Sequence, residues 1–125
     1  NALFFRLDDH AKRLSRSAHY LGYEIAPEFI RSRLIEFVEM NKPTTSIYIR
    51  PLVYTSDLDI SPRLHEIEKD FLIYGIELGD YLAADGVSAT ISSWVRQSDA
   101  SFPLRAKISG GYITSALAKS EAVAR

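Results

Sequence analysis

Apolar residues recur at helical spacing in two stretches near the start of the chain. Ala11, Leu14, Ala18 and Leu21 follow at three- and four-residue steps, the repeat that lays side chains along one helix face. Asp8 or Asp9 is the predicted N-cap of that helix, and Gly22 is its predicted C-terminal stop. A second helix is predicted to open with Pro27 in its first turn and to carry Ile30, Leu34, Phe37 and Val38 as its stripe. Asn41-Lys42-Pro43 ends it. Ahead of the first helix, residues 3–7 have the composition of a short strand.

The pattern then changes from a period near four to a period of two. Residues 44–54 (T-T-S-I-Y-I-R-P-L-V-Y) are β-branched and aromatic, and form the clearest predicted strand. Alternation puts Ile47 and Ile49 on one face and Tyr48 and Arg50 on the other. Pro51 has no N–H to donate, which predicts an edge strand or a bulge there. Residues 56–63 predict a loop, 70–76 a second strand, 82–86 a turn, 87–94 a further strand and 99–103 a loop. From about Gly111, Ile113, Ala116, Leu117 and Ser120 start a last helix that continues to the end of the chain. Helices alternate with strands, but loops also join strands directly, so the fold class is α+β, or mixed α/β. A change of composition near residues 74–81 marks a candidate domain boundary.

Composition narrows the chemistry. The chain has 125 residues, enough for one domain or pieces of two, and its charged fraction of 25% is that of an ordinary globular protein. A formal net charge of −1 gives no footprint for nucleic acid. There is no cysteine, so disulfides and thiolate metal sites are excluded, and the three histidines show no metal-ligand spacing. No apolar run has membrane-spanning length and no signal-peptide pattern opens the chain, so the expected location is the cytoplasm. The start without methionine and the finish inside a helical pattern suggest an internal segment of a longer protein.

A few residues have the character of a reactive site. Lys107 precedes Ser109-Gly110-Gly111, where the backbone can pass close to a ligand, and Tyr112 follows. Lys107 is either a nucleophilic amine able to form a Schiff base or a solvated surface lysine. Arg13, with His10 and Ser17 at helical spacing, is either an anion clamp or part of a solvated helix face with Lys12 and Arg16. Tyr48 and Arg50 are placed to hold a carboxylate, or else line the solvent face of their strand. Trp94 is expected in core or interface packing. Asp57, Asp59, Glu66 and Glu68 read as loop or surface charges and not as a metal cluster.

Four stretches carry a resemblance: D-D-H-A-K-R-L-S-R-S-A (8–18), S-I-Y-I-R-P-L (46–52), S-S-W-V-R (92–96) and R-A-K-I-S-G-G-Y-I-T-S-A-L-A-K-S-E-A (105–122). In this order and at these distances the chain resembles the fold-type IV pyridoxal-phosphate aminotransferases, especially the branched-chain amino acid aminotransferases. The resemblance implies a small two-layer domain over residues 1–73, an interdomain loop over 74–80 and the start of the larger, β-rich cofactor domain over 81–125. It implies that Lys107 carries pyridoxal 5'-phosphate as a Schiff base, that Tyr112 hydrogen-bonds the cofactor's 3-oxygen and that Arg13 binds its phosphate. Tyr48, Arg50 and Tyr74 would face the substrate, with Arg50 and Tyr48 engaging its carboxylate. The implied reaction is ping-pong transfer of an amino group between leucine, isoleucine or valine and 2-oxoglutarate, in a homodimer or higher homo-oligomer. D-Amino acid aminotransferase, aminodeoxychorismate lyase of the same fold, and a non-catalytic fragment are the alternatives. The chain departs from the family at Gly111, where asparagine is usual, and it does not contain the family's downstream acidic partner of the pyridine nitrogen, its downstream phosphate-cup loops or its upstream glycine-rich segment.

Overall fold

The structure is a computed structural model that describes residues 3–60, 62–79 and 85–125. It divides into two compact units, residues 1–79 and 80–125. The first unit contains α1 (Leu7–His19), α2 (Pro27–Asn41), β1 (Ile47–Thr55) and β2 (Lys69–Glu77). The second contains a 3-10 turn, Ser109–Tyr112, leading directly into α3 (Ile113–Ala124). The observed class is α+β, as the alternation of patterns predicts.

In the first unit, β1 and β2 form an antiparallel pair in unbroken register from Ile47↔Glu77 to Thr55↔Lys69. The two helices supply the other layer. Ala11, Ala18, Ile25, Ile30 and Leu34 are buried at the centre, and Ile49, Val53, Phe71 and Ile73 of the sheet pack against them. These sheet residues alternate along their strands and share the face turned to the helices. Ile30 is fully buried, a contribution of about 2 kcal/mol from transfer alone. Phe29 meets Phe71 edge to face with centroids 5.9 Å apart, and Phe37 lies over Gly75, where a Cβ would stand 3.3 Å from its ring.

The helix limits have local causes. Pro27 occupies the first turn of α2, where its missing N–H costs nothing. Gly22 adopts φ +66° and donates its N–H to His19 at 2.9 Å, while Tyr23 N–H reaches Ala18 O at 3.1 Å, closing α1 as the glycine predicts. The start of α1 differs from the sequence expectation. Its cap is Arg6 in the left-handed region (φ 50°, ψ 46°), and Asp8 and Asp9 lie inside the first turn. Arg6 Nε donates to Asp9 Oδ2 at 2.6 Å, and the two carboxylates sit where the helix N-terminus favours negative charge.

Two expected strands do not form. Residues 3–6 are irregular, with Leu3 98% and Phe5 82% exposed, and Leu7 already belongs to α1. Residues 87–94 are likewise irregular, with Ile91 91% exposed. A strand needs a hydrogen-bonded neighbour, and among the described residues the only sheet is the β1–β2 pair. Trp94, expected in packing, is half exposed. Tyr74 to Glu77, at the head of the segment expected as an interdomain loop, are paired residues of β2, and the units divide after Gly79. Pro51 sits opposite Ile73 without a bulge, on a strand that is an edge because the sheet has two strands. Most of the turn expected over 82–86 lies outside the described residues.

Candidate active site

The outer face of the β1–β2 pair holds one candidate group. Tyr48 and Arg50 alternate onto this face of β1, and the register sets Tyr74 of β2 directly across from Arg50. Arg50 Nη1 donates to Tyr74 Oη at 3.0 Å. Its guanidinium carbon lies 5.7 Å from the Tyr48 ring centroid and 5.8 Å from that of Tyr74, so the cation is flanked by two phenol rings. Hydrogen bonding to Tyr48 first, and to Tyr74 second, pushes the Arg50 pKa above its ordinary value. The guanidinium is exposed, permanently charged and steered by two aromatic neighbours, an arrangement suited to gripping a planar carboxylate.

The second unit holds the lysine. A turn over residues 98–104 is closed by Ser101 and Phe102 N–H groups that both donate to Ser98 O at 3.0 Å. Ala106 is buried beside Lys107 and anchors the backbone, with its N–H on Pro103 O at 2.9 Å. Lys107 is exposed, and its Nζ donates to Tyr112 Oη, 5.0 Å above the Tyr112 ring centroid. The amine and the phenol are thus held together by one short turn. Gly111 N–H on Ile108 O at 3.1 Å closes that turn. Phe102 accounts for a glycine at position 111: a Cβ there would stand 2.8 Å from its ring.

Arg13 lies on the exposed side of α1 in a shallow cleft of about 420 Å³ lined by Phe5, Arg6, Asp9, His10, Lys12, Arg13 and Arg16. Four of those seven residues are cationic, which suits a phosphate. Arg13 Nη2 hydrogen-bonds His10 Nδ1 at 3.2 Å, and Ser17 Oγ donates to the Arg13 carbonyl at 2.8 Å. The six residues singled out in the sequence therefore fall into three groups. Tyr48, Arg50 and Tyr74 meet on one sheet face, Arg13 lies in the α1 cleft of the same unit, and Lys107 and Tyr112 meet in the other unit.

Glu121 was not singled out in the sequence. One of its oxygens accepts from Ser92 Oγ at 2.6 Å, Ser93 N–H at 3.0 Å and Ser93 Oγ at 3.2 Å, and the other pairs with Arg125. These bonds, the Ser92 hydroxyl foremost, hold its carboxyl below the usual carboxylate range. The S-S-W and S-E-A segments stand in the quoted stretches, but no local pattern signals that they touch.

The sequence matches the amino-transferase class IV family over residues 1–125, and the chain belongs to that family. It is 65% identical over 121 residues to a probable branched-chain-amino-acid aminotransferase of Synechocystis, covering 97% of this chain and 40% of that protein. It is 31% identical over 126 residues to the branched-chain-amino-acid aminotransferase of Escherichia coli K12, covering 94% of this chain and 40% of that protein. The crystal structure of a Thermoproteus uzoniensis branched-chain aminotransferase with norvaline superposes with a TM-score of 0.87 at 35% identity, over 94% of this chain and 40% of that one. The holo, PLP-form structure of the Thermobaculum terrenum branched-chain amino acid aminotransferase gives 0.78 at 28% identity, covering 95% and 40%. The chain spans about two fifths of the length of the curated relatives it matches.

Proposed function

We propose that this chain belongs to an enzyme that moves the amino group between a branched-chain amino acid and 2-oxoglutarate, using pyridoxal 5'-phosphate. The observation that carries the reading is the Lys107 amine bonded to the Tyr112 phenol across one turn. The 65% identical relative is named for this activity, which supports the substrate class.

The residues present fit the cofactor. Its aldehyde needs an accessible primary amine, its ring oxygen a hydroxyl partner and its phosphate a cation. Lys107, Tyr112 and the cationic cleft around Arg13 provide those three chemistries. When bound, the cofactor supplies an electron sink for the substrate's α-carbon. Lys107 would be the residue that holds the cofactor, and its amine would move the proton of the substrate's α-carbon. Tyr112 Oη holds Lys107 Nζ in place and offers a hydrogen bond to the ring oxygen. Arg13 would take the phosphate. Arg50, flanked by Tyr48 and Tyr74, would bind the substrate carboxylate. Expected features of the same reading are a homodimer in the cytoplasm.

The test uses a polypeptide of the relatives' full length carrying this segment. Leucine with 2-oxoglutarate yields glutamate, and Lys107→Ala lowers kcat on the order of 10³-fold or more while abolishing the absorbance band of the covalently held cofactor. An unchanged band in that variant refutes the lysine's role. Turnover of D-alanine or aminodeoxychorismate in place of leucine moves the assignment to a relative of the same fold, and no turnover of any of them leaves a non-catalytic protein.

A further inference from the structure

Position 111 admits only glycine while Phe102 stays where it is. A Cβ at Gly111 would lie 2.8 Å from Phe102 Cε1 and 3.1 Å from Cζ, well inside the contact distance of carbon atoms, about 3.5 Å or more. The same atom at Gly110 would lie 3.7 Å from Phe102 Cε2, an ordinary contact. Gly111 is not among the residues with positive φ, so its backbone does not itself call for glycine. The constraint is one of space, and a single ring creates it.

The backbone that carries the ring is held from its own side. Phe102 N–H donates to Ser98 O at 3.0 Å, Ser101 N–H and Oγ donate to the same carbonyl, and Leu104 N–H reaches Asp99 Oδ1 at 3.3 Å. The turn over 98–104 therefore fixes the backbone from which the Phe102 ring reaches the two glycines. The next residue after Gly111 is Tyr112, whose hydroxyl accepts from Lys107 Nζ. Any backbone shift that relieved a clash at 111 is passed directly to the phenol.

We propose that Phe102 is a positioning residue: seated on Gly110 and Gly111, its ring fixes the 3-10 turn that sets the Tyr112 hydroxyl against the Lys107 amine. Its effect on catalysis rests on the transamination reading above, whereas its effect on the tyrosine does not. Phe102 acts through the backbone of Gly111, where its ring stands against the position a Cβ would take.

The experiment follows the Tyr112 ¹³Cζ resonance in full-length protein labelled at tyrosine, assigned with Tyr112→Phe. Gly111→Ala displaces the resonance, Gly110→Ala leaves it in place, and Phe102→Leu combined with Gly111→Ala returns it toward the parent position. In the cofactor-loaded enzyme the same pair reads out as a drop in kcat on the order of tenfold for Gly111→Ala, with KM for leucine little changed, and recovery in the double variant. Should Gly111→Ala not fold, a double variant that folds with the parent resonance supports the proposal equally. Parent-like behaviour of Gly111→Ala overturns it, as does a double variant no better than the single one. Absence of transamination in the parent protein would count against the proposed function alone, because the tyrosine resonance is read without cofactor.

Discussion

The two units of this chain are held together by different forces. Residues 1–79 bury a continuous apolar centre between two helices and a two-stranded sheet, with Ile30 fully enclosed and Ala11, Ala18 and Leu34 almost so. In the described part of residues 80–125 only Ala106 is buried, while Val87, Ile91, Val95 and Val123 are each at least 77% exposed. What organises that unit is polar: Glu121 clasping Ser92 and Ser93, Arg125 reaching Glu121, Thr90 and Ile91, and backbone bonds closing the turns around Lys107. Packing therefore carries the first unit, and hydrogen bonds carry the shape of the second. The candidate functional groups follow the same division. Arg50 projects from a sheet whose opposite face is packed, and Lys107 depends on a turn whose parts bond to one another.

The largest effect separates the two by stability. Ile30→Ala removes the most enclosed side chain and leaves a cavity, at a cost of about 3 kcal/mol. Amide exchange across β1, β2 and the two helices quickens together, while the Ser93 amide and the 3-10 turn keep their protection. Uniform loss of protection across both units would show that they fold as one and would break the comparison.

A smaller effect separates stability from chemistry inside the first unit. Lysine at position 50 keeps a positive charge but cannot stack its flat face between Tyr48 and Tyr74 or grip a carboxylate with two parallel donors. On the proposed transamination, Arg50→Lys raises KM for 2-oxoglutarate on the order of tenfold, about 1.4 kcal/mol, with the melting temperature nearly unchanged. A fall in melting temperature as large as that of Ile30→Ala would show that the outer face is part of the packing.

Much of the first unit is legible in the sequence because its signals are local. The stripe Ile30, Leu34 and Val38, Pro27 at a helix start and Gly22 at a helix end each act within a turn or two of chain. Alternation along residues 47–50 places Tyr48 and Arg50 together before any partner strand is known. The failures share a cause. β-propensity in residues 3–7 and 87–94 reports a preference for extended backbone, but a strand exists only where another strand pairs with it. The contact of Arg50 with Tyr74 depends on register, and that of Glu121 with Ser92 spans 29 residues, so neither leaves a periodic trace. The start of α1 fails differently: two adjacent acidic residues suggest a cap, and the helix takes them into its first turn instead, where their charge is equally favoured. Lys107 is the clearest limit. By residue type it is an ordinary surface lysine, and the resemblance of the surrounding segments, in register with Arg13 and the Tyr48–Arg50 strand, is what singles it out.

The smallest effect tests the polar half of the comparison by its response to acid. The hydroxyl of Ser92, the N–H of Ser93 and then its hydroxyl stabilise the charged Glu121, Arg125 adds to them, and partial burial opposes them, leaving the folded pKa below the ordinary value of 4.5. A carboxyl with a depressed folded pKa contributes stability that is complete above its unfolded pKa and is lost as pH falls through the folded one. Protection of the Ser93 amide, corrected for intrinsic exchange, therefore holds steady above about pH 4.5 and declines below it. Glu121→Gln starts from lower protection and shows no such decline, since its amide carries no charge to lose. The hydrophobic first unit shows no matching step through Glu121. If the Ser93 amide responds to acid identically in both proteins, the clasp does not organise the second unit, and the loops around Lys107 owe their shape to something other than this carboxylate.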